Sequence, residues 1–127
     1  MRDYIFRGKR LETGEWIESR SMTRYGESSC WLFGDDGMHE VDMETVGQYT
    51  GLTDKNGKMI FEGDIVRYGD TIHEVVFEQR NGTAYFGLVY SKTETLPFGH
   101  YQDLKQIEVI GNIYDDPELM EGERNEK

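Results

Sequence analysis

A mainly β fold is what this sequence predicts: a single domain over residues 1–127, built of hairpins and twisted, partly barrel-like antiparallel sheets with one or two short helical turns. Three observations lead there. Alanine, the best helix former, occurs once, at Ala84, in 127 residues, while β-branched and aromatic residues are plentiful. Glycine occurs 15 times, and several glycines sit in two-residue turn signals such as Asn56-Gly57 and Asn81-Gly82. The residues on either side of Asn81-Gly82 also fall into one consistent hairpin register.

The elements follow in chain order. Tyr4–Phe6 and Glu15–Ser19 form a hairpin around Thr13-Gly14. Cys30–Phe33 and Met38–Val41 form a second around Asp35-Asp36-Gly37. Asp42-Met43-Glu44-Thr45 is one helical turn capped by the Asp42 side chain. Lys58–Phe61 is a short strand after Asn56-Gly57, which reads as a type I′ turn. With Asn81 and Gly82 as a loop, Gln79 faces Ala84, Phe77 faces Phe86, Val75 faces Leu88 and His73 faces Tyr90, all on one largely apolar face. The other face pairs Glu78 with Tyr85, Val76 with Gly87 and Glu74 with Val89, which is solvated or partly covered. Continuing back across Gly69-Asp70 pairs Tyr68 with Thr71 and Val66 with His73. The result is a meander of Ile65–Tyr68, Thr71–Gln79 and Ala84–Tyr90. Glu108–Tyr114 is a buried strand whose Gly111 marks a bulge or a close backbone approach. Tyr101–Leu104 is a further turn, Asp116-Pro117 starts a helical turn, and residues 121–127 form a polar tail.

Charge narrows the function classes. Fourteen Lys and Arg against 25 Asp and Glu leave a formal net charge of −11. That balance excludes direct binding to a nucleic-acid backbone, which needs cations to replace counterions, and docking on an anionic membrane. No apolar run approaches the roughly 20 residues that span a bilayer. The opening residues turn charged at Arg7 before any signal-peptide stretch forms, and the single cysteine has no internal disulfide partner, so the reducing cytoplasm is the expected compartment.

The residues that chemistry could use have structural readings beside them. Asp54-Lys55-Asn56-Gly57 is similar to the start of a calcium loop, but its glycine comes too early and Glu62 is wrongly spaced, which favours a hairpin. His39, His73 and His100 lack the spacing of paired metal ligands, and His73 is expected beside Tyr90 as a hydrogen-bonded structural residue. Cys30 lies in the apolar run Cys30-Trp31-Leu32-Phe33, the setting of an inert buried thiol. Asp115-Asp116 reads as a helix cap and its solvated neighbour. Arg7, beside the acidic turn Glu62-Gly63-Asp64, reads as an anchor tying the N-terminus to the sheet, with a ligand-binding arginine as the sharper alternative. No phosphate-cradling loop, dinucleotide fingerprint or nucleophile elbow is present in the sequence. No metal, cofactor or catalytic residue is expected.

Two longer stretches carry a family resemblance. The run from Val46 to Val66, including Gly47-Gln48-Tyr49-Thr50-Gly51-Leu52-Thr53-Asp54 and Ile60-Phe61-Glu62-Gly63-Asp64-Ile65, resembles the signature of the YopX-like family of phage and prophage proteins. Val109-Ile110-Gly111-Asn112-Ile113-Tyr114-Asp115-Asp116-Pro117 is similar to that family's C-terminal motif, and Phe6-Arg7-Gly8-Lys9 with Gly14-Glu15-Trp16-Ile17 to its N-terminus. Met43 departs from the proline expected before Glu44-Thr45, and residues 67–106 match nothing diagnostic. The resemblance implies a mainly β, barrel-like fold, a phage or prophage setting and a cytoplasmic location. It brings no catalytic residues to carry over. The spaced glycines of the central motif suit tight turns and close packing, and no helix pattern follows them to hold a phosphate. As a binding loop instead, the motif would present Gln48, Tyr49 and Thr50.

The expected function is that of a non-catalytic phage or prophage accessory protein, acting through contacts with protein partners, a second copy of itself among them. The alternative is an acidic nucleic-acid mimic or regulator that binds a basic host protein. It requires a contiguous acidic face, whereas in sequence the charge is spread, −5 over residues 1–66 and −6 over residues 67–127. A second alternative is a small enzyme using Arg7 with Glu62 or Asp64.

Overall fold

The computed structural model of the chain describes residues 4–80, 82–90, 95–97 and 103–120. Expectations for Asn81, His100, Tyr101 and the tail 121–127 lie outside the described residues. Among those described, twelve strands form three antiparallel sheets. Each sheet has two distinct end strands, so none closes, and the expected barrel-like curvature is corrected to open sheets. The chain divides into two compact units, Met1–Gly51 and Leu52–Lys127.

In the first unit, β1 (Phe6–Lys9) pairs with β2 (Trp16–Ser19), placing Arg7 opposite Glu18 and Lys9 opposite Trp16. The connecting turn is closed by the Gly14 N–H on the Arg10 carbonyl at 2.7 Å, and Gly14 has φ 77°. β1 lies later than the expected Tyr4–Phe6 because Gly8 continues the strand instead of ending it. A Cβ at Gly8 would stand 3.2 Å from Val41, so the missing side chain permits a close approach. β3 (Met22–Tyr25), β4 (Ser29–Gly34) and β5 (Gly37–Val41) form a three-stranded sheet. The β4–β5 hairpin is the expected one, with Gly34 facing Gly37 across Asp35-Asp36. β3 has no strong apolar alternation to announce it. Alternation along β4 sends Cys30 and Leu32 into a core with Val41, and leaves Trp31 and Phe33 on the outer face. The predicted one-turn helix is present at Met43–Thr45, with the Asp42 carboxylate accepting the Glu44 N–H at 3.0 Å. β6 (Gly47–Thr53) then pairs with β1 and runs on into the second unit.

In the second unit the end of β6 turns back into β7 (Met59–Phe61). The turn corrects the expected two-residue type I′ loop. The Asp54 N–H reaches the Lys58 carbonyl at 2.8 Å, the Gly57 N–H reaches the Asp54 carbonyl at 3.0 Å, and Gly57 takes φ 81°. That is a three-residue loop with Gly57 in the left-handed position. β8 (Asp64–Tyr68), β9 (Thr71–Arg80) and β10 (Thr83–Val89) are the expected meander in the expected register, with Phe77 opposite Phe86, Val75 opposite Leu88 and Val66 opposite His73. β11 (Thr95–Pro97) and β12 (Ile107–Asn112) flank it in the order β11-β10-β9-β8-β12. The β12 register shifts between Val109 and Gly111, which is the bulge that the glycine suggested.

The core of this unit is Ile60, Val66, Val75, Leu88 and Ile107, each fully buried. Burial of one such side chain is worth about 1.5–3 kcal/mol. The apolar face of the β9–β10 hairpin is sealed at Val75 and Leu88 and opens toward the loop, where Phe77 packs tilted against Phe86 at 5.1 Å between ring centroids and is 42% exposed. His73 is buried, hydrogen-bonded through its ring to Thr71 Oγ1 and the Val89 carbonyl, and 4.2 Å from the Tyr90 ring, as the register implied.

Candidate functional site

The central and C-terminal motifs meet inside the second unit, through backbone donors and acidic side chains. Asp54 is buried. One carboxylate oxygen accepts the N–H groups of Asn56 and Lys58 at 2.8 and 2.9 Å, and the other accepts the Val109 N–H at 2.9 Å. Burial pushes this carboxyl up, but the three N–H donors and the nearby Lys58 outweigh it and hold the group below the usual carboxylate range. Asp54 therefore knots its own turn and ties it to β12. These N–H donors take both of its oxygens, which is a structural use of the residue and not that of a calcium ligand.

The acidic turn is built the same way. The Asp64 carboxylate is 1% exposed and accepts the Phe61 N–H at 2.8 Å. Gly63 has φ 94°, donates to the Val75 carbonyl and accepts from the Ile113 N–H, with the Tyr114 ring 2.9 Å from where a Cβ would stand. Glu62 is half-buried in that turn. Asp116 uses its side chain on the Asn112 N–H at 3.2 Å, while its carbonyl accepts the Leu119 N–H of the short C-terminal helical turn. A carboxylate oxygen of Asp116 also fills the space against Gly111.

The remaining sequence-selected residues lie in the first unit. Gln48, Tyr49 and Thr50 are half-buried members of β6, with Gln48 opposite Phe6 and the Tyr49 N–H on the Ile5 carbonyl at 2.8 Å. The exposed loop that would have presented them is thus a paired strand. Arg7 is 9% exposed, and its guanidinium lies 4.7 Å over the Trp16 ring, with the Lys9 ammonium at 5.6 Å from the same ring. Cys30 is 1% exposed, and burial pushes its thiol up, so it is inert.

Two open clefts in the same unit have richer chemistry. One, of about 210 Å³, is walled by Leu11, Trp31 and Met38 with Glu12 and Glu40. The other, of about 390 Å³, is walled by Trp16, Ile17 and Phe33 with Glu15, Glu18, Asp35 and Asp36. Arg10 and His39 border both. The walls are held in place: the Trp31 indole N–H donates to Ser29 Oγ at 2.8 Å, and that hydroxyl donates to Glu40 at 3.0 Å. The His39 ring meets Asp36 at 2.5 Å, which holds the Asp36 carboxyl below its ordinary range. Arg10 pairs with Glu15 at 3.8 Å. Among the described residues no group of three or more His, Cys, Asp or Glu is placed to hold a metal ion. The clefts are not evident in the sequence, where Cys30-Trp31-Leu32-Phe33 reads as one apolar run. Its period-two alternation was the available signal.

Open antiparallel sheets, tied by buried carboxylates and carrying carboxylate-rimmed aromatic clefts, define a small acidic all-β protein. The chain belongs to the YopX protein family, whose model matches residues 5–121. Its fold is similar to the crystal structure of protein EF1440 from Enterococcus faecalis, at 24% identity and TM-score 0.54, over 93% of this chain and 98% of that one. No curated protein matches the chain. No helix among the described residues is long and apolar enough to cross a membrane.

Proposed function

We propose that the protein is a non-catalytic interaction module, a phage or prophage accessory protein that works in the bacterial cytoplasm by contacting other proteins. Membership of the YopX family supports the phage setting. The observation that carries the interaction reading is the outer face of the β3-β4-β5 sheet. Tyr25, Phe33 and Met38 are 57%, 42% and 36% exposed there, beside the half-buried Trp31. Apolar side chains gathered on one face, with carboxylates at its margin, are typical of a protein-contact surface. The engagement of Arg7 with Trp16, and of Asp64 with a backbone N–H, favours a structural use of both over the enzyme reading.

A second reading, an acidic regulator of a basic host protein, is favoured by a specific observation. Glu12, Glu15, Glu18, Asp35, Asp36 and Glu40 are separated in sequence and gathered around the two clefts.

The test places a photo-crosslinking residue at Phe33, with the same residue at Glu78 as control, in protein expressed in a bacterial host. The expected result is one protein, or a second copy of this chain, crosslinked from position 33 and lost when Met38→Ala is added. Crosslinking of no protein from position 33, or equal crosslinking from both positions, overturns the reading.

A further inference from the structure

The two clefts of the first unit define the chemistry of the partner, and the geometry points to an arginine-bearing segment of a basic protein as their occupant. This rests on the interaction reading above and goes further by naming the site and the ligand class. Six carboxylates border the clefts, against Arg10 on their rim and Arg7 and Lys9 beside the Trp16 wall, so the local field is negative even when His39 is counted as a cation. A nucleic-acid or phospholipid phosphate is repelled there. A single metal ion fits no better, because among the described residues no three acidic or imidazole groups converge on one point. Carboxylates spread along two adjoining clefts match several cationic side chains carried on one extended segment.

The walls select arginine among cations. Trp31 offers an indole in one cleft and Phe33 a ring in the other, where the neighbouring Trp16 already carries the chain's own Arg7 and Lys9. A guanidinium stacks flat on such rings and donates from its edge to two carboxylate oxygens, whereas an ammonium is a compact, strongly hydrated charge. The chain already shows this pairing internally, with the Arg7 guanidinium 4.7 Å over the Trp16 ring. The Glu18 and Asp35 side chains are exposed on the rim, outside the side-chain hydrogen bonds and ion pairs that hold the cleft walls, so they are the groups placed to receive an incoming guanidinium. Glu40 is pre-oriented by the Trp31–Ser29–Glu40 chain of hydrogen bonds, which lowers the ordering cost of binding.

The chain's two tryptophans both line the clefts, so their fluorescence reports occupancy directly. The experiment titrates the full chain with a ten-residue peptide alternating arginine and glycine, and with its lysine and glutamine counterparts. The expected result is a saturable change with the arginine peptide, weakened by salt, at least about fivefold weaker with lysine and absent with glutamine, fivefold being about 1 kcal/mol. The double variant E18Q/D35N weakens the arginine peptide by a similar factor at an unchanged urea midpoint, and Phe33→Ala does the same. No saturable change, equal response to the glutamine peptide, or wild-type binding by E18Q/D35N overturns the proposal. If E18Q/D35N still crosslinks its partner from Phe33 while no peptide binds, the interaction reading stands and this cleft assignment falls.

Discussion

Apart from the Asp42 cap, the two units use the carboxylate for opposite purposes. In the second, Asp54, Asp64 and Asp116 turn inward or along the chain, and each accepts backbone N–H groups that the bends would otherwise leave unsatisfied. In the first, Glu18, Asp35 and Asp36 point out around aromatic walls. The second unit also has the larger sealed core, with five fully buried aliphatic side chains against the Cys30, Leu32 and Val41 cluster of the first. A net charge of −11 is thus two populations. One is structural and the other borders the open clefts of the first unit, and composition alone cannot separate them.

The largest expected effect of breaking this contrast falls at Asp54. Asp54→Ala strands three N–H donors and is expected to cost roughly 3–4 kcal/mol in urea unfolding, with the β6–β7 turn and β12 losing amide protection together. Gly63→Ala comes next, at about 2–3 kcal/mol, because it combines φ 94° with the Tyr114 ring in the way. Gly57→Ala has a similar backbone need, with φ 81°, but open space around it, so about 1 kcal/mol is expected and the difference between the two glycines measures the Tyr114 contact.

Acid sharpens the comparison. An unfolded Asp takes up its proton near pH 3.9, whereas folded Asp54 holds out to lower pH. Its stabilisation is therefore complete above the unfolded value and is lost as pH falls through the folded one. The urea midpoint of the wild type should fall in that acid range more steeply than that of Asp54→Asn, which has no proton to take up. The smallest effect is expected at the cleft rim, where Glu18→Gln and Asp35→Asn should each change stability by less than about 0.5 kcal/mol.

Much of this fold was legible in the sequence, and the reasons differ by region. The β8–β9–β10 meander could be placed residue by residue because two-residue turns fix register and one face is buried, so a slip of one residue would turn Val75 and Leu88 outward. The Asp42-capped turn and the Gly111 bulge were legible from local chemistry. β6 was not, because Gly47 and Gly51 suggested turns where one is buried in a paired strand and the other, with φ 89°, bends it. β3 was missed for want of alternation. The Asn56-Gly57 pair alone does not show that the turn closes from Asp54 to Lys58, with the Asp54 carboxylate taking the Asn56 and Lys58 N–H groups. The candidate site was the least legible part, since the clefts gather residues from β2, the β4–β5 loop and the β1–β2 turn.

The contrast between inward and outward carboxylates is tested most directly by making the same isosteric change in each unit, Asp54→Asn and Asp35→Asn, and comparing urea unfolding at neutral pH. The account predicts a loss of about 2 kcal/mol for Asp54→Asn and less than about 0.5 kcal/mol for Asp35→Asn. Losses of equal size, or a larger one at Asp35, would contradict it.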